Sequence, residues 1–300
     1  MAAPATAISL DEKRRTTATL LQAGADIHAL NTVRKHVSAI KGGRLAVASQ
    51  APCRTLAVSD VVGDDLSVIG SGPTVADPST FADAYEVLRQ FARLDEYPAS
   101  VVAHVEAGVR GERPETPKPG DPRLERSAAA VIGGRFDAMR GAESAARSKG
   151  YHALVIERPL VGESRVVAKQ HIEDVLARIP SLPRPLCVIS SGETTVTVKG
   201  QGRGGRNQEL ALAAAEAMAS SPHTMALASI GTDGVDGPTD AAGALADTTT
   251  IERARAASLG SPSGYLDSND SYRFFAAIGD LVQTGPTGTN VGDVQILLIL

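Results

Sequence analysis

"TTVTVKGQGRGGRNQELALAAAEAMAS", residues 194–220, runs from β-branched residues through a glycine loop into an alanine-rich segment. The order is strand, loop, helix, and it points to an α/β protein. Gly200, Gly202 and Gly205 also spell G-x-G-x-x-G, which after a strand and before a helix suggests a dinucleotide site. That site calls for an acidic residue about 20 residues on, and Asp233, the nearest at a strand end, lies rather far along. Two arginines, Arg203 and Arg206, occupy the same loop at the positive end of a helix, where a cation is electrostatically misplaced. Loop amides and a helix N-terminus together favour an anion, and arginine adds charge-assisted contacts to phosphate. The loop is therefore expected to hold phosphoryl groups through Gly202, Gly204, Gly205, Arg203, Arg206 and Asn207. The competing reading pairs each arginine with a carboxylate such as Glu193, and leaves the glycines unexplained.

Around this centre, "AAAVIGG", "YHALVIE", "RPLCVISSG", "TTVTVKG", "TMALASIG" and "DVQILLIL" read as strands. "FDAMRGAESAARSKG", "GRNQELALAAAEAMAS" and "SYRFFAAIGDLV" read as helices, an alternation typical of a parallel α/β sheet. Upstream, "SLDE" forms a capping box for a helix ending at Gly24. A second helix starts near Ile27 and stops at Gly42, and "CRTLAVSD" reads as a buried strand ending at Asp60. The loop after it, "VVGDDLSVIGSGPTVADPST", is long enough to be functional or disordered. "RGERPETPKPGDPRLER", residues 110–126, carries four prolines and dense charge and reads as a linker. Two α/β domains follow, residues 1–120 and 121–300, with mainly parallel or mixed sheets flanked by helices.

Composition narrows the function. Thirty basic and 34 acidic residues give a net charge of −4 without a basic run, so no nucleic-acid partner is expected. No apolar run reaches membrane-spanning length, and the N-terminus lacks the pattern of a signal peptide. The two cysteines, Cys53 and Cys187, read as buried thiols in a reducing compartment, which implies a cytoplasmic protein.

Three further clusters carry chemistry. In "IGTDGVDGPTDAAGA", Asp233, Asp236 and Asp240 leave a strand among glycines, where one or two carboxylates suit Mg²⁺ held together with substrate phosphates; Asx turns are the plainer reading. "LDSNDSY" and "TGPTGTNVGD" offer Asn269, Thr287, Thr289 and Asn290 to a small polyhydroxylated substrate, although turn chemistry uses the same residues. In the first half, "NTVRKHVSAIKGGRLA" gathers Arg34, Lys35, His36, Lys41 and Arg44, and "SDVVGDD" adds Ser59, Asp60, Asp64 and Asp65. These form either a surface salt-bridge network or one wall of an anion site.

Together, "NTVRKHVSAIKGGRLA", "SDVVGDDLSVIGSGPTVAD", "SGETTVTVKGQGRGGRNQEL", "GTDGVDGPTDAAGA" and "NDSY" with "GDLVQTGPTGTNVGDVQILL" resemble the glycerate 2-kinase family with the MOFRL domain. The motifs occur in order over nearly the whole chain. The resemblance implies two α/β domains with the active site in the cleft between them, the first Rossmann-like and the MOFRL region at about residues 185–300. It also implies transfer of the γ-phosphoryl of ATP to the 2-hydroxyl of D-glycerate with Mg²⁺ or another divalent cation; a homo-oligomer is compatible with it. Arg206 then takes the transition-state role beside Arg203. Arg34, Lys41 and Arg44 hold the glycerate carboxylate or a phosphate, while Asp60, Asp64, Asp233 and Asp236 serve metal or base.

Two departures stand out. Ser191 replaces a glycine of the family's "SGGET" and is expected to perturb the strand exit. A further N-terminal segment of the family, with a glycine-rich loop and an active-site lysine, has no counterpart, so the first domain is expected to be incomplete and fragile. Two other functions compete: an NAD(P)-dependent hydroxypyruvate reductase, a label often given to relatives, and an inactive nucleotide-binding remnant.

Overall fold

The computed structural model describes residues 2–300; Met1, where the N-terminal reading begins, lies outside them. The chain divides into two compact units, one of residues 1–57 with 63–132 and one of residues 58–62 with 133–300.

The first unit is mainly helical, with α1 (Leu10–Gln22), α2 (Ile27–His36), α3 (Arg44–Ala48), β1 (Cys53–Val58), α4 (Phe81–Phe91), α5 (Ala99–Val109) and β2 (Ser127–Gly133). The capping box opens α1 as expected: the Ser9 amide donates to Glu12 at 2.7 Å and the Glu12 amide to Ser9 Oγ at 3.2 Å. Helix α2 stops at His36, six residues before the glycine that was expected to end it. Among the described residues strand β1 pairs only with β2, and its residues are mostly half-exposed or exposed, not buried. Leu20, Leu30, Val33, Phe81, Leu88, Val101 and Val105 form the core between the helices. The Pro-rich stretch read as a linker lies within this unit. There Thr116 Oγ1 donates to buried Asp77 at 3.0 Å, and Glu115 accepts from the Phe81 amide at 2.9 Å.

The second unit holds α6 (Arg135–Ser148), β3 (His152–Val155), β4 (Leu160–Glu163), α7 (Ser164–Arg178), β5 (Leu186–Thr195), α8 (Arg206–Ala219), β6 (Met225–Gly231), β7 (Gly243–Asp247), α9 (Thr250–Ala256), α10 (Pro262–Asp267), α11 (Ser271–Ile278), β8 (Leu281–Val282) and β9 (Asp293–Ile299). Its seven-stranded sheet runs β3-β5-β9-β6-β7-β8, with β4 also on β5. It is mixed: β3 and β4 lie parallel to β5, whereas β9 lies antiparallel to both β5 and β6. The two runs read as separate strands, "RPLCVISSG" and "TTVTVKG", are one continuous strand through Thr195 followed by loop, and β4 and α7 were not anticipated. Ser191 does not disturb that strand. It keeps register with Val294, and its hydroxyl accepts from Arg135 Nη1 at 3.1 Å. Both cysteines are free, Cys187 buried and Cys53 only partly so.

In the first unit α5 meets α4 at Gly108, where an added Cβ would lie 2.2 Å from the buried Phe81 ring. Alanine would gain about 1 kcal/mol of helix propensity, but overpacking a core aromatic costs about 1–3 kcal/mol and more at so short a contact. Gly108→Ala should therefore lower stability, as read from the urea midpoint of the whole chain.

Candidate active site

Helix α8 is buried on nearly every face, from Asn207 through Ala215 and again at Met218. Its first amides cannot reach water and need acceptors inside the protein. Asp236 supplies two: Oδ1 accepts from the Asn207 amide at 3.0 Å and Oδ2 from the Gln208 amide at 2.9 Å. Both carboxylate oxygens are thus bound to a helix end, so the aspartate expected to ligate metal acts as a helix cap.

The preceding loop packs backbone to backbone against residues 268–271. Gly202 donates to the Ser268 carbonyl at 2.9 Å, and a Cβ there would lie 2.4 Å from Asp270 Cβ. A Cβ on Gly205 would lie 2.3 Å from the Asp236 carboxyl carbon. The close approach that the glycines permit is to the protein's own loops. Asn269, expected to touch substrate, clamps this loop instead. Its Oδ1 accepts from the Lys199 and Gly200 amides, each at 2.8 Å, and its Nδ2 donates to Glu209 at 2.7 Å. Asn207 is turned inward as well, accepting from Ser229 Oγ at 2.7 Å.

Among the described residues, the amides of Gly204, Gly205 and Arg206 have no acceptor. These three residues line a cavity of about 640 Å³ together with Thr194, Glu209, Asp233 and Asp236. The Arg206 guanidinium is bidentate on Asp293, with Nε to Oδ2 at 2.6 Å and Nη2 to Oδ1 at 3.0 Å, and its Nη1 lies 3.3 Å from Glu193. Burial works against the Arg206 charge, but the Asp293 bonds and the neighbouring carboxylates outweigh it and raise the guanidinium pKa. Burial pushes Glu193 up, the charges of Asp293 and Asp60 add to this, and Arg206 opposes it. Among the described residues Arg203 forms no salt bridge: its guanidinium lies 4.7 Å from the Tyr272 ring centroid and donates to the Pro238 carbonyl at 3.4 Å.

Beside this cluster, Asp60 accepts from Asn290 Nδ2 at 3.0 Å, and Thr287 Oγ1 donates to the Thr232 carbonyl at 2.6 Å. Thr289 donates its amide to Thr287 Oγ1 at 3.4 Å, and Asp233 Oδ1 accepts from the Val235 amide at 3.1 Å. The aspartate loop and the threonine–asparagine loop, read separately in the sequence, thus form one network with Asp60. No group of three or more His, Cys, Asp or Glu among the described residues could hold a metal ion, so there is no all-protein metal cage.

Comparison with known proteins decides the family. The MOFRL family matches residues 186–293, and DUF4147, a domain of unknown function, matches residues 1–106. The chain is 38% identical to the glycerate 2-kinase of Pyrococcus horikoshii, covering 99% of this chain and 67% of that protein. It is 41% identical to the D-glycerate 2-kinase of Thermotoga maritima, with 99% and 69% covered. The chain belongs to the glycerate 2-kinase family. The crystal structure of the Thermotoga maritima glycerate kinase superposes with a TM-score of 0.84 over 99% of this chain and 69% of that one. A relative from Agrobacterium vitis, 42% identical over 100% of this chain and 67% of its own length, is named a putative hydroxypyruvate reductase.

The family's phosphotransferase chemistry fits the sheet better than a dinucleotide site does. In the dinucleotide fold the strand before the glycine loop and the strand after its helix are parallel neighbours. Here β9 lies between β5 and β6 and is antiparallel to both.

The remaining sequence candidates, Arg34, Lys41, Arg44 and Asp64, lie in the first unit. Arg34 Nη1 donates to Asn31 at 3.3 Å, Lys41 Nζ to the Gly70 carbonyl, and Arg44 Nη2 to the Pro114 carbonyl at 3.0 Å. Asp64 has a left-handed backbone, φ 55°. Asp293, which fixes Arg206, was missed in the sequence because it stands 87 residues away at the start of a strand.

Burial pushes Asp236 up from 3.8 to about 6, the charge of Asp293 adds to this, and the two helix amides oppose it. The folded state therefore binds this proton more tightly than the unfolded state, and stability from this group falls as pH rises from about 4 to about 6. At two pKa units, the wild type should lose of order 3 kcal/mol relative to Asp236→Asn across that window. Urea unfolding of both chains at several pH values would measure the difference.

Proposed function

We propose that the chain transfers the γ-phosphoryl of ATP to the 2-hydroxyl of D-glycerate, giving 2-phosphoglycerate and ADP, with the phosphates held at residues 204–206. The observation that carries this reading is the row of amides at Gly204, Gly205 and Arg206, without acceptors, at the N-terminus of a buried helix beside a 640 Å³ cavity. A helix N-terminus with free amides binds phosphate oxygens, and phosphoryl transfer asks mainly for positioning and charge stabilisation.

Asp293 holds the Arg206 guanidinium in one orientation, so no reorganisation is needed as charge develops on the transferring group. Nη1 is the exchangeable corner: its partner Glu193 is 47% exposed, and a phosphoryl oxygen replaces it there. Arg203, which forms no salt bridge among the described residues, adds a second cation at the loop. Asp233 lines the cavity with only one oxygen engaged, which suits Mg²⁺ bound by one or two carboxylates and by phosphates. When bound, the metal neutralises phosphate charge. Asp60, oriented by Asn290, accepts the proton of the 2-hydroxyl as its oxygen bonds to phosphorus and the bond to the β-phosphate oxygen breaks. The free thiols of Cys53 and Cys187 support a reducing compartment, the cytoplasm.

The test mixes the chain with ATP, Mg²⁺, D-glycerate and enolase, without phosphoglycerate mutase, so that phosphoenolpyruvate appears only from the 2-phospho product. Phosphoenolpyruvate is expected, and Arg206→Ala should slow its formation by about 10²–10³-fold or more. No phosphoenolpyruvate, together with hydroxypyruvate-dependent NADH oxidation, would replace the kinase reading with the reductase one.

A further inference from the structure

Lys13, on α1, has a place in no motif considered above. It is 7% exposed, and among the described residues its buried Nζ has no hydrogen-bond partner. Lys35, equally buried at 6% exposed, makes the contrast: its Nζ lies 3.0 Å from the fully buried Asp77 carboxylate. An ammonium taken out of water with no partner costs several kcal/mol. Lys13 carries that penalty in a poor setting, since burial and then the charges of Lys41 and Arg34 push its pKa down to about 8.

Those two neighbours are short of negative charge as well. Among the described residues Lys41, 8% exposed, bonds only a backbone carbonyl, that of Gly70, while half-buried Arg34 bonds the neutral Asn31. Among the described residues, none of the three cations forms a salt bridge. Arg34 and Lys41, the two charges that act on Lys13, are tied to one loop. Asn31 accepts from Ser71 Oγ at 2.7 Å and donates to the Val68 carbonyl at 3.3 Å, and Gly70, Ser71 and Gly72 run at φ 59°, 62° and 55°. Ser71 is fully buried in this left-handed conformation, a strain of the kind kept at ligand sites.

We propose that Lys13, Arg34 and Lys41 form one site for a small oxyanion, a carboxylate or a phosphoryl group, whose charge compensates the buried Lys13 ammonium. Arg34, the most exposed of the three, is where the anion enters. That the oxyanion belongs to D-glycerate or its phosphate rests on the function proposed above; anion binding itself does not.

The sign of one substitution separates this from a merely structural lysine. Lys13→Met keeps the buried methylene chain and removes the charge, so in chloride buffer it should raise the melting temperature. Inorganic phosphate and D-glycerate, each compared with chloride at equal ionic strength, should stabilise the wild type, and Lys13→Met should abolish most of that gain. In the enolase-coupled assay the variant should raise KM for D-glycerate by about tenfold or more with little change in KM for ATP. Stabilisation by phosphate alone would identify a phosphoryl site, by D-glycerate alone a carboxylate site, and either supports the proposal. A variant that is less stable or unfolded in chloride would overturn it, as would anion stabilisation that survives the substitution. Because the melting measurements need no turnover, a chain that binds anion but makes no phosphoenolpyruvate would refute the kinase reading alone.

Discussion

A helix buried on nearly every face must find partners for its N-terminal amides inside the protein, and in the second unit this constraint falls on α8. The answer comes from a loop some 30 residues downstream, where Asp236 caps the Asn207 and Gln208 amides. The cap brings the 231–240 loop against the glycine loop so closely that Gly205 has no room for a side chain. Asn269 and Asp270 hold the other side of the loop, Asp270 accepting from the Arg203 amide at 2.9 Å. A site that looks in sequence like a flexible phosphate loop is therefore pinned on both sides, and among the described residues the amides of Gly204, Gly205 and Arg206 are left over at the helix end.

The same constraint explains the place of Arg206. A cation in the first turn opposes the helix dipole, and burial adds to the penalty. Asp293 resolves both through a bidentate bond, and it can do so because β9 is threaded between β5 and β6. In that register Asp293 stands opposite Gly192 on one side and Gly231 on the other. The strand order that argues against a dinucleotide fold is the one that supplies the arginine's partner.

Much of this was legible in the sequence wherever the signal was local. The capping box of α1, the glycine loop, α8 and the strand at residues 293–299 all follow from neighbouring residues. The strand-sized run before the glycine loop was misjudged at its ends, because a fully buried strand lacks the alternation that marks its limits. The roles of side chains were harder to read. Asn207, Asn269 and Asp236 are residue types that bind ligands and also residue types that cap and turn, and only the long-range packing of residues 231–240 and 268–271 assigns them to the second task. Asp293 and Lys13 gave no local signal, since the first acts across the sheet and the second is defined by what surrounds it.

Charge balance separates the two units. Around Arg206 stand Asp293, Glu193 and Asp236, with Asp60 near Glu193, so one cation faces several carboxylates. Such a setting disfavours a bare phosphate even with amides aimed at it, and the same carboxylates add to the burial that raises the pKa values of Glu193 and Asp236. A phosphate that arrives with a divalent cation meets the opposite balance: the metal satisfies the carboxylates, and the amides and arginines satisfy the oxygens. Around Lys13 the excess is positive, and there an anion is wanted with no metal at all. The two units thus carry opposite charge balances, which accords with the proposed binding of a cation-borne triphosphate at the one and an oxyanion at the other.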